Sequence, residues 1–283
     1  MKQNKIRIII YNIIFFSTLN VVYSQTYEQT LDFANKQYNE KKFDLALKTY
    51  KRLVFFGKNK PLFNIYERIA ELSFLENKYD DALHYYDLAY DNTTDKQIKI
   101  DIEFKKAYID IVNKNYQFAM MELASIESDD PLIQKKLNFY LGTTYYGLDN
   151  FQKAEEYFDK IVVQDSSKRA IRKLFASRKL HSPSPKTAKI LSLIIPGAGQ
   201  FYTGKIKDGI LSFTLIGGMI FLAVYTSINV DIYMSLISVI PWVQRYYTGG
   251  YTKAEAMARL KLNQNRNKIF NKIIQQLDNG NTK

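Results

Sequence analysis

The sequence predicts an all-α protein: a helical solenoid of four helix pairs plus a capping helix, followed by a transmembrane domain of two to three helices. Three observations predict it. Small residues recur at fixed spacing through the first half of the 283-residue chain. Three uncharged apolar stretches crowd into the last third. The net charge of +12 is also unevenly placed, with 18 basic and 4 acidic side chains in residues 166–283 against 19 basic and 24 acidic in residues 25–165. Positive charge beside apolar segments marks membrane topology or anionic lipid contact, so membrane lipid is an expected partner and nucleic acid is not.

Composition removes several chemistries at once. There is no Cys, which excludes disulfides, zinc-thiolate sites, thiol catalysis and a lipid-modified N-terminal Cys. His84 and His181 are the only histidines, too few for a multi-histidine metal site.

Residues 1–24 read as a signal peptide. Lys2, Lys5 and Arg7 precede an apolar run over Ile8–Leu19, and Val22 and Ser24 occupy the positions a signal peptidase inspects, predicting cleavage between Ser24 and Gln25. The alternative is an uncleaved membrane anchor, for which the apolar run is short of the ~20 residues a membrane span needs. The segment that follows is expected to be exported.

Residues 25–181 form the predicted repeat domain. Ala46, Ala82, Ala119 and Ala154 each follow an aromatic by three residues (Phe43, Tyr79, Tyr116, Phe151). Tyr50, Tyr86, Leu123 and Phe158 come four later, and Leu53, Ala89, Ile126 and Ile161 seven later. These offsets put all of them on one helix face. Twelve residues before each alanine stand Ala34, Ala70, Ala107 and Gly142, so small residues can face each other across a helix pair and let two backbones approach. Polar turns separate the helices at 40–42, 76–78, 113–115 and 149–150, and Pro131 is expected to stop a helix. The repeats run over about 27–58, 63–94, 100–131 and 135–165. The capping helix spans 166–181, with Ile171, Leu174 and Phe175 at helical spacing. Residues 182–187 read as an extended linker because of Pro183 and Pro185.

This pattern resembles the tetratricopeptide repeat, whose period is ~34 residues. The resemblance covers about half the chain and departs from the family at Thr30, Glu103 and Asn138, where its early large aromatic appears only as Tyr66. It implies a concave groove lined by the first helix of each pair: Asn35, Tyr38, Asn39, Asn64, Glu67, Glu71, Phe74, Asp101, Phe104, Tyr108, Phe139, Thr143 and Tyr146. Such a groove is aromatic with an acidic middle, suiting a protein partner with a basic or apolar segment.

Residues 188–250 form the predicted membrane domain, with apolar stretches at Ile190–Gly204, Gly209–Val230 and Ile232–Gln244. Pro196, Gly197, Gly199, Gln200, Tyr202 and Gly204, continuing to Gly209, resemble the Pro-Gly-x-Gly-Gln-x-Tyr-x-Gly element of small bacterial membrane domains, which often accompanies tetratricopeptide repeats. Glycine permits a tight turn, while Gln200 and Tyr202 suit a membrane interface. Residues 251–283 read as a basic amphipathic helix, with Leu260, Ile269, Ile273 and Leu277 near one face, lying on an anionic leaflet or against a partner. Three crossings are favoured, with the repeats in the periplasm, the protein in the bacterial inner membrane and the tail in the cytoplasm; if Ile190–Gly204 is only re-entrant, two spans remain and the tail shares the periplasm with the repeats.

The function this implies is a membrane-anchored tetratricopeptide scaffold of the bacterial cell envelope, mediating protein–protein interaction or complex assembly. The other reading is a membrane component of a transport or protein-insertion machinery acting through residues 188–250. No catalytic, cofactor or metal residues stand out, so an enzyme is not expected.

Overall fold

The computed structural model describes residues 26–57 and 60–279, and every regular element among them is helical. The expected export segment lies outside the described residues. In chain order the helices are α1 (Tyr27–Asn39), α2 (Phe43–Phe56), α3 (Phe63–Leu75), α4 (Tyr79–Asp91), α5 (Lys96–Val112), α6 (Tyr116–Ala124) and α7 (Pro131–Gly147). There follow α8 (Phe151–Ile161), α9 (Asp165–Phe175), a 3₁₀ turn (Arg178–Leu180), α10 (Pro185–Ile194), α11 (Ala198–Tyr202), α12 (Ile206–Asn229), α13 (Ile232–Ser238) and α14 (Ile240–Asn279). They fall into two compact units, one ending at Leu148 and one beginning at Asp149.

In the first unit α1 packs on α2, α3 on α4 and α5 on α6, and each pair also touches the next. The spaced alanines explain this. Ala34, Ala46, Ala70, Ala82, Ala107 and Ala119 are all fully buried, which is what helix backbones in close approach require. Tyr50, Leu53, Tyr86, Ala89 and Leu123 fill the space beside them. The polar turns share one conformation. Lys41, Asn77 and Lys114 each hold a left-handed φ of 59°, 59° and 63°, and Asp149 repeats it at 61°. The N–H groups of Lys42, Lys78 and Asn115 then donate to the carbonyls of Gln37, Ser73 and Asp110, five residues back. That hydrogen bond closes a helix end which a right-handed residue would leave open.

Two boundaries differ from expectation. Pro131 does not end a helix but starts one, at the first position of α7, where its missing N–H costs nothing and Asp130 caps the turn by accepting from Leu132 N–H at 2.8 Å. The linker is also shorter than expected, because Ser184 caps a helix that begins at Pro185.

Asp110 is the buried acid of this unit, 2 % exposed on α5. Burial, with Glu122 nearby, raises its pKa to about 6 against the opposing pull of Asn115 and Lys106. The unfolded chain has the lower pKa, so the native state binds more protons between about pH 4 and 6, and stability falls as pH rises through that window. Asp110→Asn should therefore flatten the pH dependence of thermal melting over that range. Above pH 7 it should stabilise by about 1–3 kcal/mol, while leaving stability near pH 3.5 unchanged. A variant whose melting tracks the native protein at every pH would refute the assignment.

The second unit is built around α14, which packs against α9, the 3₁₀ turn, α10, α11, α12 and α13. The fourth repeat is thus not an isolated hairpin: its second helix, α8, shares a core with this unit. Phe158 stacks with Phe175 at 6.3 Å and meets Phe270 of α14 at 6.5 Å. Arg266 of α14 pairs with Asp149 at 2.8 Å, donates from Nε to the Leu180 carbonyl and lies over the Phe151 ring.

The C-terminal tail accordingly needs correcting on three counts. It is no separate element, since α14 runs without a break from the third apolar stretch to Asn279. Its buried face is Ala254, Ala258, Leu262, Ile269, Ile273 and Leu277, whereas Leu260 is exposed. It packs on the helices that follow Asp149, so a membrane cannot separate it from them. The first apolar stretch is broken into α10 and α11, of 10 and 5 residues, and α13 has 7. Among the described residues one helix, α12, is long and apolar enough to cross a membrane, at 24 residues or about 36 Å.

Candidate functional sites on the repeat face and at the glycine turn

The first helices of the repeats place most of the predicted groove residues together, with partners the sequence reading left out. Tyr38 and Glu71 meet through Arg68, whose guanidinium donates to the Tyr38 hydroxyl at 3.0 Å and to the Glu71 carboxylate at 2.9 Å and lies 4.4 Å from the Tyr38 ring centre. Glu67 and Asp101 meet through Lys105, at 2.6 and 2.9 Å, and Lys136 stands 3.6 Å from Asp101. Burial works against the Lys105 charge, but its bonds to Glu67 and Asp101 outweigh that and raise its pKa. The acidic middle expected of this face is therefore corrected to a ladder of alternating charge. The cations were missed although Glu67 and Lys105 stand 38 residues apart, close to one repeat period.

Inside the ladder Phe74, Phe104 and Tyr108 join Tyr86 and Tyr140 around a pocket of about 120 Å³, with Lys105 and Lys136 at its rim. Phe74 tilts against Tyr108 at 5.7 Å and Phe104 against Tyr140 at 5.2 Å, and the Lys136 ammonium lies 4.2 Å from the Phe104 ring centre. Burial pushes the Tyr86 and Tyr140 hydroxyls above their usual range, so both rings act as apolar wall with a neutral OH. The pocket is well below the ~300–1,000 Å³ of small-molecule sites and suits one inserted side chain.

The remaining groove candidates are not brought in. Asn39 and Asn64 are exposed at helix ends, and Asn35 accepts a 2.7 Å hydrogen bond from the Tyr50 hydroxyl. Thr143 donates to the Phe139 carbonyl on its own helix, and Tyr146 is buried. His84 is exposed, edge-on to Tyr85, and His181 packs against Phe151.

The glycine element of the second unit forms a packed corner between α10, α11 and α12. Gly197 has φ +90°, and a Cβ there would lie 2.3 Å from the Gly209 carbonyl oxygen. Gly199 sits against α10, where its N–H donates to Ser192 Oγ at 2.9 Å. Ser192 donates in turn to Gln200 Oε1, and Gln200 Nε2 reaches the Gly250 carbonyl on α14 at 2.9 Å. Gln200 is 1 % exposed, so the expected interfacial role is corrected: it is a buried latch between helices. Tyr202 does reach the surface and accepts from the Ser184 N–H. Pro196 precedes the turn and Gly204, at φ +81°, ends α11. Compared with known proteins, the chain matches no family model, no curated protein and no solved structure.

Proposed function

We propose that the protein is a membrane-anchored helical-repeat scaffold of tetratricopeptide type in a bacterial envelope. Its repeat face grips an apolar or aromatic side chain of a protein partner. The carrying observation is the open aromatic pocket of Phe74, Tyr86, Phe104, Tyr108 and Tyr140, framed by a charge ladder that is already internally balanced. A face with its charges compensated offers little to a strongly basic segment, whereas exposed rings beside a cavity are what interface anchors use. Tyr108 remains 47 % exposed, more surface than an aromatic with no partner usually shows.

The anchor in this reading is a hairpin of α12 and the returning α13–α14. Its support is the exposure of that hairpin. Only 11 % of the most apolar window of α12 is buried, while a core helix of a water-soluble protein would be mostly covered. Phe213, Phe221, Ile228, Met234 and Ile237 all face outward, a patch too apolar for water alone.

A photo-crosslinking side chain at position 108, in cells that make the full chain, tests the grip. One defined adduct is expected there and none from position 121, whose Met is exposed elsewhere on the unit. Tyr108→Ala should lower recovery of that partner about tenfold, the scale of an interface anchor, with melting unchanged. Equal labelling from both positions, or full recovery with Tyr108→Ala, would defeat the assignment.

A further inference from the structure

Three contacts fix the register of the α12–α14 hairpin. Lys253 of α14 holds Asp208 of α12 at 2.7 Å, a Cβ on Gly250 would lie 3.2 Å from Ser212 Oγ, and Ser235 Oγ of α13 donates to the Ala223 carbonyl at 2.9 Å. That register sets Arg245 level with Leu215 and Ile216, near the middle of α12. Eight residues, about 12 Å of helix, separate Arg245 from Lys253, and about 20 Å of α12 separates its level from the Asp231 turn.

Arg245 is exposed, and among the described residues its guanidinium has no ion pair and no hydrogen bond. It lies 5.8 Å from the ring centre of Trp242, three residues nearer the Asp231 turn. The side chain therefore leans away from the Lys253 end, as helical side chains lean toward their N-terminus. In hydrocarbon such a cation needs an anion at its own depth. Asp208 is already held by Lys253, and the other acid in residues 206–253 is Asp231 at the far turn. A second copy in the same membrane has these same acids at these same depths. A lipid phosphate belongs with the charged groups of the Lys253 end, about 12 Å away.

The groove beside Arg245 has room for a helix. A crevice of about 420 Å³ runs between α12 and α14 past Leu211, Ser212, Leu215 and Ile216, and Gly249 leaves open space where a side chain would project. Small residues beside such a groove let another backbone come close.

We propose that this groove docks a transmembrane helix of another protein, one with an Asp or Glu near its midpoint, and that this carboxylate pairs with Arg245. The planar guanidinium matches a carboxylate with two parallel hydrogen bonds. The proposal rests on the reading that the α12–α14 hairpin sits in a membrane, and it gives the scaffold a second grip, inside the bilayer.

Trp242, the single tryptophan of the chain, lies beside Arg245 and serves as an energy-transfer donor. The full-length protein is reconstituted in phosphatidylcholine vesicles with a synthetic leucine–alanine helix of about 20 residues, long enough to span, bearing a dansyl acceptor and one Glu at its midpoint. Transfer should reach half its maximum at about tenfold lower mole fraction than for the same helix with Leu in place of that Glu, the scale of one polar contact between helices in lipid. Arg245→Leu should erase the preference, and Arg245→Lys, which keeps the charge, should retain part of it. Circular dichroism of each variant establishes that it is folded.

Equal transfer to the Glu and Leu helices, or a preference that survives in Arg245→Leu, would overturn the site. Loss of the preference when phosphatidylglycerol is added would assign Arg245 to anionic lipid and overturn it as well. So would transfer to a dansyl-labelled second copy as strong as to the Glu helix, which would make the groove a self-association surface. Quenching of Trp242 by phosphatidylcholine brominated on its acyl chains scores the membrane reading separately. Quenched Trp242 without a Glu preference refutes the site alone, whereas unquenched Trp242 in protein that alkaline carbonate releases refutes the anchor and the site together.

Discussion

Replacing Gly199 with alanine should unfold the second unit or abolish its accumulation, although the change adds one methyl group. A Cβ at position 199 would lie 2.0 Å from the Ala188 carbonyl oxygen and 2.5 Å from Ser192 Oγ. The nearer obstacle is backbone of α10, so no side chain can swing away to make room. Relief requires α11 to move off α10, which breaks the chain of hydrogen bonds from Gly199 N–H through Ser192 and Gln200 to Gly250. Overpacking of this kind costs ~1–3 kcal/mol, and stranding the buried amide of Gln200 adds ~1–3 kcal/mol more. Against a total stability of ~5–15 kcal/mol that loss is severe. Gly217→Ala is the control: nothing lies within 4 Å of a Cβ there, and alanine favours a helix by up to ~1 kcal/mol. Thermal unfolding of both variants in detergent reads the difference. A Gly199→Ala protein that melts with Gly217→Ala would show that the corner is not tightly packed.

How much of this was legible in the sequence depends on whether the cause is local. The small residues of the helix pairs were readable because close helix packing admits nothing larger, and Ala34, Ala46, Ala70 and Ala82 are all fully buried. The glycine corner was readable for the same reason, although the depth of Gln200 was not, since its partner carbonyl lies 50 residues away. Charge on the repeat face was misread because Glu67 and Asp101 were weighed without the lysines of neighbouring helices. The continuity of α14 was hidden by local signals that point the other way. Pro241 is only the second residue of the helix, where proline is tolerated. Gly250 is held in helix by contact with α12, where its Cβ position lies 3.2 Å from Ser212 Oγ. The tail's partner was likewise invisible, because a basic amphipathic helix looks the same whether it meets a leaflet or α9 and α10.

Cysteines introduced at Arg169 and Lys272 should react with a membrane-impermeant maleimide from the same side of the membrane, and a cysteine at Val230 from the opposite side. The native chain has no cysteine, so each variant carries one label. Arg169 is exposed on α9, Lys272 is exposed near the end of α14, and Val230 is exposed at the turn after α12. The prediction follows from α14 being one rod. Its outer half is fixed to the α8–α10 end by Lys189–Glu255 at 2.9 Å, Arg266–Asp149 at 2.8 Å and the Asn265 amide donating to the Ser182 carbonyl. Placing the tail across the membrane from α9 would break all three and expose Leu262, Ile269 and Ile273. Among the described residues of 166–279 every basic group but Arg245 lies toward one end of the hairpin, and the far turn carries only Asp231. Charge bias and the export signal expected of residues 1–24 pull in opposite directions over which compartment that end faces. The pairing of positions 169 and 272 holds for either outcome, and labelling in intact cells gives the compartment at the same time. The ratio of labelling before and after permeabilisation should agree for 169 and 272 and invert for 230. Reaction of 169 and 272 from opposite sides would sink the hairpin and restore an odd number of crossings between them.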